Sequence, residues 1–344
     1  MIPRMLTLAR ESRGLTQSRL AKMTGIPQPD LSKAENKVRP LSPERLETVA
    51  EALGYPVEIF EWTDEYLGLG PSGFYHRKQS GLGQTALNRI EAEIGLLVMQ
   101  LRRLKRSVDI EPAYRFPVLD ADEYTPEEAA ALVRVTWHIP DGPVENVVQA
   151  VERAGVVVVR RDLGTSKISG LSINPPGDLP LIVLNEGMPA DRERFTILHE
   201  IGHLVMHQIP SEKGEKEADE FASAFLMPRR DVIPYLAGGM TIAKAAQLKQ
   251  LWRCSMASII RRAHSLGTID AAKYKSLNVQ MSQNKYSKTE PGEFAKENPT
   301  ILGDVLHVYR TDHGYSEQEL ASVVGLQARE FHTCYGPGKR LRAV

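Results

Sequence analysis

The chain has 344 residues, 42% hydrophobic and 25% charged, and its 43 basic and 43 acidic side chains cancel. That length exceeds the usual single domain and predicts two or three, while zero net charge excludes a global attraction to nucleic acid or membrane, so any basic patch must be local. Two cysteines, Cys254 and Cys334, exclude a disulfide framework and fit a reducing compartment.

The opening MIPRMLTLARESRG interrupts its apolar positions with charge and does not read as a signal peptide. The longest apolar runs, AGVVVV and GLLVM, fall far short of a membrane span, so a cytoplasmic protein without a membrane partner is expected. Residues 3–60 predict short helices. Met5, Leu8 and Ala9 mark the first, closed by Gly14; Thr16 caps the next, which ends at Gly25. PQPDLSKAEN begins with prolines suited to a first helical turn, and SPERLETVAEALG has Ser42 as N-cap with Glu44 and Glu47 near its positive end. Two short helices around a tight Gly25-Ile26 turn are the helix-turn-helix arrangement.

Residues 61–84 are turn-rich and lead into a long helix, TALNRIEAEIGLLVMQLRRLKRS, whose basic run Arg102, Arg103, Lys105 and Arg106 reads as a solvated face. Two more helices follow, then strands at VVVVRRDL and LPLIVLNEG with a weaker one, KISGLSIN, between them. Helices resume at about 191. From about 270 the chain turns polar, as an extension or linker would, and it closes on a helical segment. There YSEQELASVVGLQAREF echoes LTQSRLAKMTGIPQPDL: a hydroxyl residue, a Gln, a Leu-Ala pair, a Gly and a second helix. The expected fold class is α+β, mostly α, in four parts: a helix-turn-helix bundle over 1–60, a linker and helical connector over 61–140, a domain with a short sheet over 141–269, and a C-terminal extension over 270–344.

The chemistry concentrates in FTILHEIGHLVMHQ. His199 and His203, at i and i+4, share one helix face and can present both imidazoles to one ion, with Glu200 beside them. In H-E-x-x-H zinc sites the histidines hold the metal and the glutamate takes a proton from water. Gly202 is expected to leave space beside the ion. A catalytic site needs a third protein ligand, and GEKEADEFASAFLMP offers Glu215, Glu217, Asp219 and Glu220, with the small residues Ala218, Ala222 and Ala224 behind them.

These two motifs, with ISGLSIN and LIVLNEG upstream and SMASIIRRAHSLGTID downstream, resemble the ImmA/IrrE metallopeptidases over about residues 145–268. The resemblance implies a small zinc-peptidase fold in which His199 and His203 are ligands and Glu200 is the general base. It further points to Glu215 as third ligand, with Glu217 as runner-up and Asp219 orienting a ligand histidine. His207 would line the cleft or be a satisfied structural residue. The expected metal is zinc rather than manganese. Tyr235, Arg261, His264 and His207 are the candidates for steadying an oxyanion.

The N-terminal stretch closely resembles the phage-repressor (XRE) helix-turn-helix, carrying the Gln after the cap, the Leu-Ala pair, the turn Gly25 and the Ser-x-x-Glu of the second helix. The segment from about Gln28 to Glu35 would enter a major groove, with Gln28, Pro29, Asp30, Ser32 and Lys33 as its groove-facing options and Gln17 and Arg19 near phosphates. Residues 1–60 carry nine basic and seven acidic side chains, only a modest footprint for phosphate. The expected partners are a double-stranded operator, bound as a homodimer, and a protein substrate of the repressor or antitoxin type. Two functions stand against each other: a regulator that cuts a protein partner, and a regulator whose metal fold senses a ligand or holds structure. Retention of Glu200 and both histidines favours the first.

Overall fold

The computed structural model describes residues 1–64, 68, 81–209, 211–286 and 289–335. Most of the turn-rich stretch expected over 61–84 therefore lies outside the described residues. The fold is α+β and mostly α. No described helix is long and apolar enough to cross a membrane.

The first four helices are α1 (Pro3–Ser12), α2 (Gln17–Thr24), α3 (Gln28–Glu35) and α4 (Pro43–Leu53). Thr16 Oγ1 accepts from Arg19 N at 3.2 Å and starts α2, which Gly25 ends at φ 71°, a conformation that costs glycine little. Leu20, Ile26 and Leu31 then bury the angle between α2 and α3. Ser42 does stand at the N-cap of α4, but its side chain makes no capping bond there.

Helix α5 (Gln84–Lys105) packs on α1 through a buried face that includes Ile90, Ile94 and Leu97. Its basic run is engaged with carboxylates. Arg103 Nη2 and Arg106 Nη2 each stand 3.0 Å from Asp64, while Arg102 and Lys105 pair with Asp178. Two further helices, α6 (Pro126–Thr136) and α7 (Val147–Arg153), precede three strands, β1 (Val157–Arg161), β2 (Gly170–Ile173) and β3 (Leu181–Asn185).

The strand order is β1-β3-β2, with β1 parallel and β2 antiparallel to β3. Because side chains alternate across a strand, this small sheet separates two cores. Val157, Val159, Leu171, Ile173, Leu181 and Val183 join the core of the N-terminal helices and α5. Val158, Ile182 and Leu184 face the other way, into the core of the helices that follow. Burial on both faces explains why β1 and β3 read as continuous apolar runs.

Those following helices are α8 (Ala190–Met206), α9 (Gly214–Leu226), α10 (Arg229–Leu236), α11 (Ile242–Trp252) and α12 (Met256–Ser265). The polar stretch beyond 270 is more than an extension. It forms α13 (Ala271–Gln283), which buries Leu277 and Met281, and then a strap fastened by buried charge. Glu290 accepts from Lys249 Nζ at 2.9 Å and from Met256 N at 2.7 Å, at the start of α12. Glu297 pairs with Arg194 and accepts from Val148 N at 3.0 Å. Composition alone does not separate a solvated linker from a strap in which Glu290, Lys296 and Glu297 each have a buried partner.

The chain closes on α14 (Ile301–Thr311), α15 (Glu317–Val323) and α16 (Ala328–Tyr335). Ser316, Leu320, Ala321, Gly325 and Phe331 stand 300 positions after Thr16, Leu20, Ala21, Gly25 and Leu31. They repeat the same devices. Ser316 caps α15, Gly325 turns at φ 63°, and Leu320 and Phe331 are buried. This second helix-turn-helix-like unit faces inward: Glu330 receives both terminal nitrogens of Arg13 at 2.7 Å, and Phe331 and Tyr335 enter the core shared with α1 and α5.

Candidate metal centre

Helix α8 lies under the sheet and carries His199, Glu200 and His203 on the side facing α9 and β2. Two glycines set its distance from those neighbours. A Cβ on Gly170 would meet Thr196 Cγ2 at 2.6 Å, so β2 and α8 touch where only hydrogen fits. A Cβ on Gly202 would meet the Ala218 Cα at 3.1 Å and Phe221 at 3.3 Å. Gly202 therefore serves the approach of α8 to α9; it does not leave space beside an ion as expected. Ala218 is its counterpart on α9.

That approach brings the acidic start of α9 to the histidines. His199 Nε2 and His203 Nε2 are 3.1 Å apart, and the Glu215 carboxylate reaches to 3.3 Å from His203 Nε2 and 3.8 Å from His199 Nε2. One ligand atom from each of the three residues lies within 4.8 Å of the others. Two imidazole nitrogens and a carboxylate oxygen aimed at one point form the donor set zinc takes in catalytic sites. The group fits.

The outer nitrogens fix the tautomers. His199 Nδ1 lies 3.0 Å from Asp219 Oδ1, so its proton belongs there and Nε2 keeps its lone pair inward. His203 Nδ1 lies 3.0 Å from His207 Nδ1, and His207 Nε2 lies 3.0 Å from Glu217 Oε2. With His207 donating to Glu217 and His203 donating to His207, the His203 Nε2 lone pair also turns inward. Glu217 thus sits behind the cluster and only Glu215 joins it. His207 is buried behind His203 and does not line the cleft. Burial opposes charge on His199, but the bond to Asp219 and the carboxylates of Glu200 and Glu215 outweigh it and raise its pKa. Burial and the neighbouring His203 lower that of His207.

Glu200 is 1% exposed and accepts from Ser172 Oγ at 2.7 Å. Ser172 was not singled out in the sequence. The signal was there, since it is the polar member of β2 between Leu171 and Ile173, which face the opposite core. The cluster opens into a cleft of about 340 Å³ lined by Gly170, Arg192, Phe195, Thr196, Glu200 and Glu215, with Lys167 at its rim. Of the oxyanion candidates, Arg261 donates to Asp219 Oδ2 at 3.3 Å, Tyr235 packs edge-on against Trp252, and His264 stacks on Tyr274. None of them lines the cleft, whereas Arg192 does.

At the other end of the molecule, Gln17 Nε2 donates to Glu35 at 2.8 Å while its carbonyl accepts from Gln28 at 2.7 Å, and Arg10 holds Glu35 from behind. Arg19 and Lys33 are exposed. Ser32 Oγ accepts from Asn36 at 3.3 Å. Arg45 pairs with Asp30 at 2.8 Å, which offsets the repulsion an acidic residue on α3 would exert on phosphate. In the C-terminal repeat the positions of Gln17, Arg19 and Gln28 hold Glu317, Glu319 and Ala328, so that unit lacks the corresponding donors.

Residues 151–264 match the family model described as the IrrE N-terminal-like domain, a peptidase family, and residues 6–60 match the one described as helix-turn-helix. Both agree with the resemblance to ImmA/IrrE metallopeptidases preceded by an XRE-type unit. No curated protein matches the chain. The chain thus joins a helix-turn-helix DNA-binding unit to a domain of metallopeptidase type.

Proposed function

We propose that this protein is a cytoplasmic, DNA-binding transcriptional regulator that hydrolyses a peptide bond in a protein partner of the repressor or antitoxin class. The reading rests above all on the convergence of His199, His203 and Glu215 beside a buried Glu200 at a cleft. In this reading those three residues hold a zinc ion, and Asp219 and the His207–Glu217 pair orient the two imidazoles. When bound, zinc supplies Lewis acidity that makes water a nucleophile near neutral pH and polarises the scissile carbonyl. Glu200 takes the proton from the attacking water and passes it to the leaving amine. Ser172 holds the Glu200 carboxylate in position through its hydroxyl. As the edge strand of the sheet beside the cleft, β2 would offer its outer backbone to an extended peptide.

The helix-turn-helix unit would bind an operator as a homodimer, with Gln28, Ser32 and Lys33 at base edges and Gln17 and Arg19 at phosphates. Asp30 would face the groove in its pair with Arg45.

The test is incubation of the zinc-loaded protein with repressors and antitoxins encoded beside it, followed by intact-mass measurement. Cleavage by the wild type that Glu200→Gln loses by a factor of about 10³ or more is expected. Equal cleavage by both proteins, or none by the wild type against every such partner, would sink the reading.

A further inference from the structure

Where the N-terminal unit, α5, the sheet and the C-terminal repeat meet, they enclose a second cavity of about 180 Å³, separate from the metal cleft. That is many times the ~10–15 Å³ one water needs. Ile94, Leu97, Leu163, Val183 and Leu326 supply apolar wall. Most of the charge at its edge is matched: Arg13 binds Glu330 through both terminal nitrogens, and Glu93 receives Arg89 at 2.7 Å. Asp162 accepts from Gly164 N.

Two donors are left over. Arg161, at the end of β1, lies over the Tyr335 ring and donates to its neighbour's carbonyl, and has no carboxylate at ion-pair distance among the described residues. Gln100 is buried and accepts from Tyr335 Oη at 2.7 Å through Oε1, which leaves its NH₂ group as a second donor at the cavity. A mostly apolar cavity with a few convergent polar groups, at a junction between structural units, is the usual form of a small-molecule site.

We propose that this junction is an effector site for a small apolar monocarboxylate, whose anion meets Arg161 and the Gln100 amide while its hydrocarbon fills the apolar wall. An occupant touches the DNA-binding unit at Arg13 and Tyr55, the C-terminal repeat at Leu326, and the face of the sheet opposite Ser172. It would therefore bind to the contact that joins the two ends of the chain, independently of whether the metal cleft cuts peptides.

Cys334 lines the cavity, whereas Cys254 is fully buried with its thiol pushed up to about 12, so alkylation of the native full-length protein reports on Cys334. Hexanoate and its neutral isostere hexanamide are the probes. Hexanoate is expected to slow iodoacetamide labelling of Cys334 by about 10-fold or more at saturation, and hexanamide to leave it unchanged. Arg161→Met and, separately, Gln100→Leu are each expected to raise the half-protecting concentration about 10-fold, with melting temperature and zinc content held as checks on folding. Equal protection by the two probes, absence of protection by hexanoate, or protection that both variants retain in full would overturn the proposal. None of these readouts involves cleavage or DNA, so its failure is distinct from failure of the proposed function.

Discussion

At the scale of single residues, the site depends on groups that hold other groups. Ser172 donates to Glu200, which is not one of the three proposed ligands, so Ser172→Ala should retain zinc while lowering kcat by about 10-fold, as expected for losing a bond that positions the proposed general base. A variant that lost zinc instead would place Ser172 in metal holding. Away from the site, burial pushes the Tyr55 hydroxyl up from 10 to about 12, although Arg13 and the bond with Ser12 act the other way. A phenol with a raised folded-state pKa contributes stability that is fully present below pH 10 and lost as the pH climbs toward 12. The loss should approach about 2–3 kcal/mol. Denaturant titrations from pH 9 to 12 should therefore show a steeper fall for the wild type than for Tyr55→Phe. Parallel curves would mean that Tyr55 is not what titrates.

At the scale of elements, the spacing of two helices decides whether there is a site. Glu215 reaches His203 because Gly202 lets α9 approach α8. Gly202→Val should push α9 away, destabilise the fold by about 2–4 kcal/mol and weaken zinc affinity about 10–100-fold. Valine is the informative choice, since alanine at a helix interior brings a propensity gain of ~1 kcal/mol that could mask the clash. Unaltered zinc affinity in a folded Gly202→Val protein would show that the α8–α9 distance is not limiting.

This is also the scale at which the sequence was most legible. The 3.6-residue period placed His199 and His203 on one face and put Glu215 and Asp219 on one face of the next helix. It did not tell which of the acidic residues turns inward, because that depends on how α9 rotates against Gly202. Nor did it tell that His207 would sit behind His203, joined to it through the Nδ1 atoms, and take Glu217 as partner. The strand KISGLSIN read weakly because it contains Ser172 and Gly170, the two positions where packing against α8 outweighs strand propensity.

At the scale of the whole molecule, the two ends of the chain share one core. Leu20 and Leu31 belong to the same cluster as Leu320 and Phe331, and Arg13 holds Glu330 across it. The echo between the two segments was readable as a pattern, but its inward docking was not, since no local rule pairs residues over 300 positions apart. Gly325 is the sensitive point: its φ is 63° and a Cβ there would lie 2.5 Å from Trp62 Cζ2. Gly325→Ala should lower stability by about 2–4 kcal/mol. It should also speed amide exchange in α1 and α5 together with α15, as one cooperative unit. Faster exchange confined to α15 and α16 would mean that the two ends fold separately.

The most direct test of the central claim, that the cluster on α8 and α9 is a zinc centre, is the zinc stoichiometry of purified protein. About one zinc per chain is expected for the wild type and for Glu217→Gln, and less than about a tenth of that for His199→Ala and Glu215→Gln. A wild type that binds no zinc, or a Glu217→Gln protein that loses as much as Glu215→Gln, would contradict the account.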